Sequence, residues 1–150
     1  LDPVHAQRLA EWADGDAHDA LAALFVAATN AEADGATRLR DDDIDAGTAA
    51  VPLGGVPIGT VLALSDNEQL VLEQLVERAL YGEVRIETAA ERIAAQTDLT
   101  GGTVKRLLYE LAQRGVLERH EVAVGTRMTG RRPSGVALNF SERLFTTLRD

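Results

Sequence analysis

TGGTVKRLLYELAQRGV, residues 100–116, is the stretch whose reading decides the fold. Val104, Leu107, Leu108 and Leu111 recur at i, i+3, i+4 and i+7, one apolar stripe of an α-helix. Thr100 suits the N-cap and Gly115 the stop. At about 100° per residue the opposite face carries Gly102, Arg106, Tyr109 and Gln113, flanked by Thr103 and Lys105. The helix is apolar inward and basic outward.

Its surroundings complete a pattern. Upstream, Ser65 to Glu68 (SDNE) form a capping box, with Leu70, Val71, Leu75 and Val76 on one helical face and Gly82 as the stop. Val84-Arg85-Ile86 reads as a short strand, and Thr88 to Glu91 (TAAE) as a second capping box opening a helix with Ile93 and Ala94 inward. Downstream, alternating runs at residues 116–124 and 136–140 flank a Gly- and Arg-rich loop from Gly125 to Gly135. The order helix, strand, helix, helix, strand, loop, strand is that of a winged helix. Ser141 to Arg149 reads as a terminal helix of the same domain.

The N-terminal part also reads as helices. Pro3 can occupy a first turn, with Val4, Leu9 and Trp12 on a loose apolar face before Asp14-Gly15. A second helix from about Asp16 to Gly35 has Leu21, Leu24, Phe25 and Ala28 on one face. Asp41 to Asp43 supply the N-cap and first-turn acids of a short third helix. Pro52, Gly54, Gly55 and Pro57 then interrupt the chain. The expected fold class is mainly α with a small β wing: a helical subdomain at residues 1–63, then a winged-helix domain at 64–150.

Charge separates the two parts. The net charge of −9 argues against nucleic acid as a partner. Residues 1–64, however, hold eleven acids against three bases, whereas residues 103–132 hold seven bases against three acids. Fourteen of the fifteen bases are Arg, and carboxylates are abundant. That surface suits a salt-saturated cytoplasm, where repulsion is screened within about 3 Å at 1 M salt; a halophilic source is expected.

The basic strip is where binding chemistry concentrates. Gly101 and Gly102 let a phosphate approach the free N–H groups of the helix start. Thr103, Lys105 and Arg106 follow, and Arg can read a guanine edge in a major groove. Arg127, Thr129, Arg131 and Arg132 lie in the wing loop, which contains no acid. An arginine-bearing hairpin tip can enter a narrow minor groove. Double-stranded DNA is the expected partner. The competing readings are a winged-helix transcription regulator and a protein-interaction winged helix whose outward face is solvated, and Glu110 on that face favours the latter.

Other classes are excluded. An apolar fraction of 45% permits a packed core. With no Cys and three scattered His, there is neither a disulfide framework nor a spaced metal-ligand pair. Asp14, Asp16 and Asp19 lack the spacing of a calcium loop. No phosphate loop, HExxH or nucleophile–base set is present, so no catalytic residue, metal or cofactor is assigned and this chain is not expected to be an enzyme. No run reaches the roughly 18 apolar residues of a membrane span. The opening LDPVHAQRLAEW is not a signal peptide and starts without Met inside a helical pattern, so the sequence reads as a fragment of a longer cytoplasmic protein.

GDAHDALAAL (15–24), ATRLRDDDIDAG (36–47), SDNEQLVLEQLV (65–76), TVKRLLYELAQRGVLE (103–118) and GTRMTGRRPSGVAL (125–138), in this order, resemble the C-terminal portion of the archaeal origin-recognition and cell-division-control family of AAA+ replication initiators. The resemblance implies a haloarchaeal fragment made of the helical ATPase lid and the winged helix. It implies origin-DNA binding, recruitment of the replicative helicase, and a parent protein that takes ATP and magnesium in a core outside this chain. The family's sensor arginine falls at His18, a poorer phosphate partner than a guanidinium, which weakens nucleotide sensing.

Overall fold

The computed structural model describes residues 1–123 and 133–149. The chain divides into two units, Leu1–Leu62 with Phe140–Asp150, and Ala63–Asn139.

The first unit contains α1 (Pro3–Trp12), α2 (Ala17–Ala33), α3 (Asp41–Ala50), α4 (Ile58–Leu62) and α8 (Glu142–Arg149). Asp2 caps α1 and Asp16 caps α2, each accepting a first-turn N–H. Leu9, Ala23, Val26, Ala27, Ile44, Val51 and Leu144 form the core. The face expected to be buried on α2 is the wrong one: Leu21 is 63% and Phe25 39% exposed, while Ala23, Val26, Ala27 and Ala31 are buried. Gly47 of α3 comes against the Ala23 backbone, and only small side chains fit between helices that close. On α1, similarly, His5 rather than Val4 joins Leu9 inside. Its Nε2–H donates to Asp41 Oδ1 at 2.9 Å, so a side-chain bond to α3 accompanies the burial.

Two further expectations change here. The N-cap of α3 is Arg40, with Asp41, Asp42 and Asp43 all in the first turn. The terminal helix belongs to the first unit, not to the winged helix, because Leu144 is part of that unit's core. The division therefore differs from the expected 1–63 and 64–150 by returning the last residues to the first unit.

Asp43, only 3% exposed, fastens the start of α3. Its carboxylate accepts from the Arg40 backbone N–H at 2.9 Å and from the guanidinium Nε and Nη2 at 3.1 Å. Hydrogen bonds from the Arg40 side chain, then from its backbone, hold the Asp43 carboxyl below its ordinary value. A depressed value contributes stability above the unfolded carboxylate range, about pH 4, and loses it as pH falls through the folded value. Asp43→Asn should therefore melt below the parent at pH 7, with the gap closing on acidification below about pH 4. Melts in a pH series check this; a gap independent of pH would contradict it.

The second unit runs α5 (Asp66–Glu77), α6 (Ile86–Ala95), α7 (Gly101–Gln113), β1 (Leu117–Glu121) and β2 (Ser134–Leu138). The strands pair antiparallel from Leu117↔Leu138 to Glu121↔Ser134. Ser65 and Glu68 form the expected capping box, and Val104, Leu107, Leu108 and Leu111 are the buried stripe of α7. The short strand at residues 84–86 is not one: Ile86 begins α6 and is 2% exposed. Gly82 N–H donates to Val136 O at 2.8 Å, which ties the segment to β2. Consequently Thr88 lies inside α6, and Arg85 takes the N-cap without a side-chain bond. Helix α5 ends at Glu77, well before Gly82, as Ala79 turns into the left-handed region at φ 50°.

Candidate nucleic-acid interface

Helix α7 assembles five of the residues singled out from sequence. Thr100 Oγ1 accepts from the Thr103 N–H at 3.2 Å and meets the Thr103 hydroxyl at 3.0 Å, fixing the first turn. A Cβ at Gly101 or Gly102 would meet nothing within 4 Å. Internal packing therefore does not require glycine there, and the backbone of the helix start stands open. Arg106 lies one turn further, on the exposed face opposite the buried stripe.

The cations on this helix already have partners. Lys105 Nζ sits 3.3 Å from Glu87 Oε1, and Arg106 Nη1 2.8 Å from Glu110 Oε1. Both pairs are exposed, so each is worth roughly 0.2–1 kcal/mol and opens readily for a better anion. Arg114 differs. It donates at 2.6 Å to Glu68 Oε2, whose side chain is 13% exposed and belongs to the capping box of α5. Arg114 is a strut between helices. Arg119 of β1 lies over the Tyr109 ring, 4.8 Å from its centroid, and its Nε donates to Ser134 Oγ at 3.0 Å. The charge count groups Arg114 and Arg119 with the other bases; their different roles follow from partners that only the folded chain supplies.

Arg127, Thr129, Arg131 and Arg132 lie outside the described residues. His18 is in the other unit, exposed at the second position of α2, where it lines a cleft of ≈ 360 Å³ with Leu21, Phe25 and Pro57. Among the described residues no group of three or more His, Asp or Glu could hold a metal ion. No described helix is long and apolar enough to cross a membrane.

Over 98% of its length the chain is similar to the ORC1 protein of Aeropyrum pernix, solved in complex with DNA, with 23% identity and a TM-score of 0.50. The chain spans 40% of the length of that structure. The likeness establishes a common fold. No family model and no curated protein matches the sequence.

Proposed function

We propose that this chain holds double-stranded DNA as the C-terminal part of an AAA+ replication-initiator-like ATPase. The first unit is the helical lid of that ATPase, and the second is its winged helix. The observation that carries the reading is the outward face of α7: an open Gly101–Gly102 backbone at the helix start, followed by Lys105 and Arg106 in exposed, easily opened ion pairs. Such a start accepts a phosphate, and the arginine one turn later reaches a base edge. The fold shared with a protein solved on DNA adds support. The parent would bind origin DNA, recruit a replicative helicase and hold ATP with magnesium in a core outside this chain. His18 would face the nucleotide only weakly, and the chain alone would hydrolyse nothing. The acidic first part, net −8 over residues 1–64, fits the salt-rich cytoplasm of a haloarchaeon.

A second reading has one observation in its favour. Lys105 and Arg106 are both paired with carboxylates, as on a winged helix that docks a protein. Fluorescence anisotropy on a labelled duplex at two KCl concentrations separates the two. The full chain should bind, and Arg131→Ala with Arg132→Ala should weaken binding at least about tenfold, about 1.4 kcal/mol, with unchanged circular dichroism. If the parent binds no duplex, the protein-docking reading replaces this one; if the double variant binds like the parent, the wing is not the contact.

A further inference from the structure

We infer that Arg119 is a preset clamp for one DNA backbone phosphate, placed between the recognition helix and the wing. The inference rests on the duplex-binding reading above and assigns a contact within it. Lys105, Arg106 and Arg114 face carboxylates at 3.3, 2.8 and 2.6 Å. Arg119, although exposed, has neutral partners among the described residues: the Tyr109 ring beneath its guanidinium carbon and Ser134 Oγ on its Nε. A cation over an aromatic face keeps its full charge. With Nε committed to Ser134, the plane of the guanidinium is set, and the Nη1 and Nη2 donors remain as a fork of the geometry that phosphate accepts. Fixing the fork before binding removes part of the ordering cost that a free surface arginine would incur.

Position supports the same role. Tyr109 belongs to the outward face of α7 with Gly102 and Arg106, so the stack places the Arg119 charge beside that face. Ser134 opens β2, and its register partner Glu121 closes β1. Arg119 thus joins the helix to the base of the wing, where a duplex lying along α7 brings its backbone. A phosphate contact positions the protein and reads no base.

The test measures affinity of the full chain for two duplexes of unrelated sequence across a KCl series. Arg119→Ala should weaken binding to both duplexes about tenfold and lower the slope of log affinity against log salt by about 1. Arg119→Lys should restore the slope but not the affinity, since it keeps the charge and loses the fork. Arg8→Ala, in the first unit, should bind like the parent. Parent-like affinity and slope in Arg119→Ala overturn the clamp while leaving DNA binding intact. Weakened binding with an unchanged slope and a lower melting temperature overturns it in favour of a structural link. A parent that binds neither duplex removes the DNA reading and the clamp together.

Discussion

Gly47→Ala should unfold the first unit at temperatures where the parent is folded. A Cβ at Gly47 would overlap the Ala23 carbonyl oxygen and lie 3.2 Å from the Ala23 carbonyl carbon and 3.3 Å from Ala27 Cβ. The main obstacle is backbone, which cannot rotate aside as a long side chain can. Helices α2 and α3 must separate, and Ala23, Ala27 and Ile44, each 0% exposed, lose their packing. Overpacking of this kind costs roughly 1–3 kcal/mol, and more when backbone must shift. Against a total of roughly 5–15 kcal/mol, a loss of about 3 kcal/mol lowers the melting temperature by more than about 10 °C in a unit of this size. Gly59→Ala is the control, because its Cβ would meet nothing within 4 Å. Thermal melts by circular dichroism decide the matter; equal melting of Gly47→Ala and the parent would contradict the close crossing.

Gly135→Ala should do comparable damage to the second unit. Its Cβ would lie 2.7 Å from Gly82 O, 2.8 Å from Val84 O and 2.8 Å from Val122 Cγ2. Two of those atoms are carbonyl oxygens of the segment that runs past β2. To relieve them, that segment must withdraw and break the Gly82 N–H to Val136 O bond of 2.8 Å. Val122 and Val136, 5% and 1% exposed, are disturbed as well. A loss of about 2–3 kcal/mol follows. Hydrogen exchange supplies the specific readout: the Gly82 amide should exchange faster in the variant. An unchanged Gly82 rate together with parent-like melting would show that the segment does not press on β2.

By itself the sequence determined what depends on residues within about four positions of one another. Caps at Asp16, Ser65 and Thr100 are bonds between a side chain and an N–H in the same turn. The α7 stripe is legible because its apolar and polar faces differ sharply, so one orientation buries far more apolar surface. The same local logic placed Gly101, Gly102, Thr103, Lys105 and Arg106 at the start of one helix. Tertiary structure decided the rest. On α2 both faces are apolar, and the side buried was the one with residues small enough for Gly47 to approach. Leu144 joined the first unit through a core whose other members lie more than eighty positions away in the chain, which no period along the helix records. Gly135 reads as the end of a loop, yet it is demanded by carbonyls at residues 82 and 84. Which cations pair with acids and which rests on a tyrosine depends on separations of 18 residues for Lys105–Glu87 and 46 for Arg114–Glu68. Local rules fix periodicity, caps and pairs such as Arg106–Glu110 because their partners are close in sequence; burial, close approach and the long-range ion pairs have partners that only the folded chain brings near.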